Sequence, residues 1–138
     1  MSDGRYELQP IGWVRSSLTD LSAAPNQGEE GSPDAWIVFE VAVREGLADL
    51  RIGSDIIVLT WLDRARRDVL RVRPRRDPAN PQRGVFSTRS PDRPNPIGLH
   101  RVHILSIDAT RVRVRNLEAL DETPVLDVKP VLDRRREQ

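Results

Sequence analysis

The chain has 138 residues, 38% hydrophobic and 31% charged, and no cysteine. This rules out disulfides, thiol catalysis and cysteine-ligated zinc, and it fits one soluble domain with its own core. No apolar stretch approaches bilayer length, and the N-terminus shows no basic stretch followed by an apolar run, so the expected location is cytoplasmic, away from membranes.

Short extended segments dominate the chain. Residues 6–15 read as a first strand with a break at 10–12, and residues 20–35 as a loop rich in Ser, Pro, Asn, Gly and acids. Residues 36–43 are β-branched and aromatic, a strong strand. Residues 45–50 suit one helical turn. Residues 55–62 are continuously apolar, which predicts a strand buried on both faces. Residues 68–73 alternate and put Arg71 and Arg73 on one face.

Residues 74–83 form a loop rich in Pro and Arg. Residues 99–107 and 110–117 read as two strands joined at Asp108–Ala109, and residues 125–128 as a last short strand. The tail, 133–138, reads as a frayed end. The pattern predicts a mostly β, small single-domain barrel of short, largely antiparallel strands with few short helices, a sandwich being the other arrangement that such strands allow.

The net charge of +1 hides an asymmetry. Residues 1–63 hold 4 basic and 11 acidic groups, residues 64–115 hold 14 and 4, and residues 116–138 hold 4 and 6. The basic middle suits a polyanion, with Arg111, Arg113 and Arg115 on one face of a strand. An acidic first third folding back over these arginines explains the same pattern. Trp13, Trp36 and Trp61 fall in predicted strands and are assigned to the core. His100 and His103 are three apart in a strand, so they point to opposite faces and bind no common metal.

The densest signal is Gly84-Val-Phe-Ser-Thr-Arg-Ser-Pro-Asp-Arg-Pro-Asn-Pro-Ile-Gly-Leu99. Its prolines at 91, 94 and 96 each fix φ and remove a backbone donor, and they drive Ser90, Arg93 and Asn95 to extended conformations. A stiff loop carrying Arg89, Arg93 and Asn95 suits ligand binding, because little entropy is lost when the ligand arrives. The second signal is Leu120-Asp-Glu-Thr-Pro-Val-Leu-Asp-Val-Lys-Pro130. Asp121 and Thr123 carry turn chemistry. Alternation pairs Val125 with Asp127 on one face, and Asp127 needs a partner such as Lys129, Arg89 or Arg93.

These two stretches resemble the TsaA-like family, that of the TrmO (YaeB)-type tRNA methyltransferases. Ile11-Gly12, Pro25-Asn-Gln27 and Glu45-Gly-Leu-Ala-Asp-Leu50 support the resemblance, which covers residues 8–132. It implies a homodimeric β-barrel that binds S-adenosyl-L-methionine and methylates the exocyclic nitrogen of threonylcarbamoyl-adenosine beside the anticodon of tRNA. It places cofactor contacts on Pro25, Asn26, Gln27, Arg64, Arg89, Leu99, Asp121, Glu122, Thr123 and Pro124. No metal is expected, because His100 and His103 point apart and no carboxylate pair sits at ligand spacing near them. Asp63, His100 and Asp127 are the base candidates.

The chain departs from the family at several motif positions. Asn26 replaces Arg, Asp63 replaces His, Glu122 replaces Gly, Val131 replaces Tyr, and Ser17 replaces Pro. The alternatives are a non-catalytic S-adenosylmethionine sensor and a methyltransferase for a small molecule.

Overall fold

The computed structural model describes residues 4–18, 33–74 and 77–132. Eight strands run in order: β1 (Gly12–Arg15), β2 (Ala35–Phe39), β3 (Asp55–Trp61), β4 (Arg71–Val72), β5 (Arg83–Gly84), β6 (Ile97–Asp108), β7 (Arg111–Arg115) and β8 (Pro124–Pro130). Six of them close in the order β1-β2-β7-β6-β3-β8, and β8 returns to β1 through Gly12 opposite Val125. Every pairing is antiparallel. β4 and β5 form a separate two-stranded ribbon.

Alternation does the sorting. Val14, Ile37, Val58, Val102, Ile104, Val112, Val114 and Val125 all point inward with at most 1% of their surface exposed, and their β-branched shapes fill the curved interior. The outward positions carry Arg15, Trp36, Arg111, Arg113 and Arg115.

Several sequence expectations change. β2 ends at Phe39, and Val41–Leu47 form a 3-10 helix instead of extending the strand. Glu40 donates its N–H back to the Ile11 carbonyl at 2.9 Å, and Val43 donates to the Glu40 carbonyl at 3.1 Å, so the chain turns despite its valines. β3 alternates between buried and half-buried residues and is not buried on both faces. Its outward Ile57, Leu59 and Trp61 are apolar, which hid the alternation. The tryptophans sit on outward positions, Trp13 among them with 37% of its surface exposed. Trp13 donates its indole N–H to Glu40 Oε1 at 2.9 Å, and the guanidinium groups of Arg111 and Arg67 lie 4.5 and 5.2 Å above the rings of Trp36 and Trp61. These contacts suit amphipathic rings at a wet surface.

A bulge in β8 overturns the face assignment of Asp127. Leu59 pairs with Asp127 and Thr60 with Val125, leaving Leu126 unopposed. The extra residue shifts the alternation, so Val125 and Val128 both reach the core and Asp127 turns away. Its partner is Lys129, whose Nζ stands 3.5 Å from Oδ2.

His100 and His103 do face opposite ways. His103 donates from Nδ1 to Asp55 at 2.8 Å on the outside. The ring and the Arg101 guanidinium hold the Asp55 carboxyl below its ordinary range. Part-buried His100 is hydrogen-bonded to fully buried Thr60 at 2.8 Å, and loss of solvent pulls its pKa down to about 4. Gly98 makes room for this pair. A Cβ there would meet the Thr60 hydroxyl and would lie 2.7 Å from His100 Nε2. Gly98→Ala is expected to cost about 1–3 kcal/mol, read as a lower urea midpoint at an unchanged slope.

Candidate cofactor-binding site

The loop between β3 and β4 and the proline loop before β6 are laced together. Leu62 donates its N–H to the Pro96 carbonyl at 2.8 Å, and Arg66 donates its N–H to Asp92 Oδ1 at 2.8 Å. Arg67 reaches the Pro94 carbonyl at 2.7 Å and Asn95 Oδ1 at 2.9 Å. Arg93 is an internal brace. Its Nε donates to the Ser90 carbonyl at 2.7 Å, and its Nη2 donates to the carbonyls of Val85 at 2.8 Å and Thr88 at 2.5 Å. The prolines cannot supply N–H groups to tie the loop down, so arginine side chains do so. Arg89 is the exception. It is exposed and its guanidinium engages no described residue.

The second loop, before β8, is pinned to β1. Asp121 donates its N–H to the Leu18 carbonyl at 2.6 Å, and its Oδ1 accepts the Ser16 N–H at 3.0 Å. Glu122 donates its N–H to the Val14 carbonyl at 2.7 Å, and Val14 donates to the Thr123 carbonyl at 2.9 Å. Glu122 has φ of 69°, the left-handed region that favours glycine. That is the position where the resembling family carries glycine, so this chain holds a strained backbone there. Thr123 and Pro124 are buried behind the turn.

A cavity of about 410 Å³ is lined by Trp13 and Arg15 of β1, Asp63 and Arg64 of the loop after β3, and Asp121 and Glu122 of the turn before β8; Arg89 is not in its lining. Arg64, Asp121 and Glu122, expected from motifs far apart in the chain, meet here. Trp13 and Arg15 were missed. They are outward residues of β1, brought alongside by the pairing of β1 with β8, a long-range contact with no local signal. Arg15 Nη1 stands 3.8 Å from Glu122 Oε1 across the cavity mouth.

Of the base candidates, Asp63 alone is in this cavity. Asp127 lines a second, more apolar cavity of about 470 Å³ together with Val43, Leu47 and Lys129, and His100 lines neither. Leu99 lies on the outer face of β6, opposite Leu59 of β3, with 49% of its surface exposed. It is two strands from β8, about 10 Å at the usual strand spacing. Pro25, Asn26 and Gln27 lie outside the described residues. Among the described residues, no group of three His, Cys, Asp or Glu is placed to hold a metal ion.

Residues 13–135 match the model of the tRNA-methyltransferase O N-terminal domain. The chain belongs to the TrmO N-terminal-domain family. A relative from Methanothermobacter thermautotrophicus, named a probable S-adenosyl-L-methionine-binding protein, is 45% identical over 130 residues, covering 94% of this chain and 93% of the relative. A second such protein, from Archaeoglobus fulgidus, is 44% identical over 124 residues, covering 90% of this chain and 33% of its own length. The solved structure of TrmO from Pseudomonas aeruginosa superposes with a TM-score of 0.75 at 26% identity, covering 97% of this chain and 59% of that one. The chain therefore spans about a third of the Archaeoglobus relative and under two thirds of the solved TrmO chain.

Proposed function

We propose that this TrmO-type chain binds S-adenosyl-L-methionine in the cavity between the loop after β3 and the Asp121 turn, and that it is a methyltransferase whose acceptor is tRNA. The supporting observation is that Arg64, Asp121 and Glu122, from motifs far apart in the chain, converge on one cavity.

The chemistry of the lining fits the cofactor. Asp121 has spent one carboxylate oxygen on Ser16 and keeps the other as an acceptor for a ribose hydroxyl or the adenine amine. Trp13 supplies an aromatic wall, its ring steadied by Glu40. Arg89 is suited to a carboxylate, which its planar fork meets with two donors. When bound, the cofactor supplies a methyl group on a positive sulfonium, which needs no further activation. The task left to the chain is alignment: to hold the acceptor nitrogen in line with that methyl group and to receive the released proton. Asp63, exposed at the cavity and not engaged through its carboxylate by any described residue, is the proton acceptor in this reading.

The finer reading is transfer to the exocyclic nitrogen of threonylcarbamoyl-adenosine in tRNA, by a homodimer. The outer face of β3 and β6 supports the second copy. It sets Leu59 opposite Leu99 and Trp61 opposite Ile97, an apolar patch outside the cavity that also presents Leu99. The names of the relatives favour one alternative, a sensor that binds the cofactor and transfers nothing.

One assay separates the two readings. Wild type and Asp63→Asn are incubated with cofactor labelled on the methyl group and with total tRNA, and cofactor affinity is measured alongside. Label in tRNA with wild type, reduced tenfold or more in a variant that still binds cofactor, is the expected result. Cofactor binding without label in RNA or in any small-molecule fraction establishes the sensor. Label in a small-molecule fraction instead moves the acceptor there.

A further inference from the structure

Arg111, Arg113 and Arg115 are the outward residues of β7, alternating with buried Val112 and Val114. β7 pairs with β2 on one edge and with β6 on the other, so the three side chains stand on a strand held from both sides. Arg111 and Arg115 are about 13 Å apart along it, near twice the distance between successive phosphates of an extended nucleic-acid strand.

The register joins this row to the cofactor cavity. Arg15 of the cavity is opposite Trp36 of β2, and Trp36 is opposite Arg113. Trp13 of the cavity is opposite Val38, and Val38 is opposite Arg111. All of these are outward positions, so the cavity wall and the arginine row are two edges of one outer surface made by β1, β2 and β7. At the usual strand spacing they are about 10 Å apart. The apolar patch offered to a second copy uses Ile97 and Leu99 of β6, whereas β7 pairs with residues 103–108, so the two faces occupy different lengths of β6.

The three arginines are committed to different degrees. Arg113 pairs with Asp34 at 3.2 Å. Arg111 lies 4.5 Å above the Trp36 ring, which fixes the guanidinium plane and leaves its N–H edge as a donor. Exposed Arg115 engages no described residue. Its neighbour across the ladder is His103, whose Nδ1 is spent on Asp55. Among the described residues, no carboxylate pairs with Arg111 or Arg115.

We propose that the outer face of β7 is a track for the backbone of the RNA acceptor, with Arg111 and Arg115 each meeting one phosphate while the target base reaches across β2 to the cavity. Arginines take phosphate oxygens without reading sequence, so the row supplies affinity and position and leaves the choice of base to the cavity. The inference rests on the reading that the acceptor is RNA.

Fluorescence anisotropy with a labelled, unstructured RNA oligonucleotide tests it, on wild type, Arg111→Ala/Arg115→Ala, Arg111→Lys/Arg115→Lys and Arg71→Ala/Arg83→Ala. The last removes the same charge from the β4–β5 ribbon. Cofactor affinity and sedimentation are measured on each protein. Arg111→Ala/Arg115→Ala is expected to bind the RNA about tenfold or more weakly at 0.1 M salt. Its slope of log affinity against log salt should fall by about 1.4, at roughly 0.7 for each phosphate contact on a single strand. The lysine variant should recover most of the binding, because an ammonium also takes a phosphate. Cofactor affinity should hold in all four proteins. RNA affinity and salt slope unchanged in Arg111→Ala/Arg115→Ala overturn the track. An equal loss in the ribbon variant also overturns it, since the effect is then one of net charge. So does a β7 variant that changes only its association state, which makes this face a contact between copies. If wild type binds cofactor but no RNA, the track and the RNA acceptor both fall while the cofactor site stands.

Discussion

Arg89→Ala is expected to weaken S-adenosylmethionine binding between tenfold and a hundredfold in a calorimetric titration, with little change in thermal stability. The two halves of this expectation have separate causes. Arg89 engages no described residue, so its removal breaks no contact among them. A bidentate hydrogen bond from a guanidinium to a carboxylate is worth about 1.5–3 kcal/mol, which sets the loss in affinity. Arg89→Lys keeps the charge and loses the fork, so it should recover only part of the difference. An unchanged affinity in Arg89→Ala would remove this residue from the site. A large fall in melting temperature would mean that the side chain supports the fold.

The second large effect belongs to Arg93, which the sequence offered as a ligand-facing group and the structure uses as a brace. Arg93→Ala strips three carbonyls, those of Val85, Thr88 and Ser90, of their shared donor. The neighbouring prolines offer no N–H to replace it. The loop should lose about 2 kcal/mol or more of local stability. Hydrogen exchange should quicken at the Thr88 amide, which donates to Val85, and at the Arg93 amide, which donates to Arg66. Exchange in β2 and β7 should stay as it was. Cofactor affinity should fall as far as in Arg89→Ala, because Arg89 would no longer be held in place. Lysine at 93 cannot span three acceptors and should behave like alanine. Unchanged exchange in the loop would contradict the bracing role.

The legible parts of the molecule were those written locally. The antiparallel β class followed from short alternating runs such as Arg111–Arg115, where inward valines and outward arginines are chemically distinct. β3 hid its alternation because its outward residues are apolar too. The bulge at Leu126 left no mark on the sequence, since it arises where β8 accommodates β3, and it reversed the side on which Asp127 stands.

The candidate site divides in the same way. Arg64, Asp121 and Glu122 were legible from motifs, and they share a cavity. Trp13 and Arg15 were not, because their place there depends on β1 pairing with β8. The strain at Glu122 became visible only once φ was known, since a φ of 69° is one that glycine adopts at less cost. Pro25, Asn26 and Gln27 fall outside the described residues.

The central claim is that the cofactor sits in the cavity lined by Trp13, Arg64 and Asp121. A crystal structure of the protein grown with S-adenosylhomocysteine tests it most directly. The account predicts electron density for the nucleoside against Trp13 and Asp121, with the amino-acid end at an arginine of the cavity or of the proline loop. Density in the apolar cavity beside Val43 and Lys129, or none at saturating ligand, would contradict it.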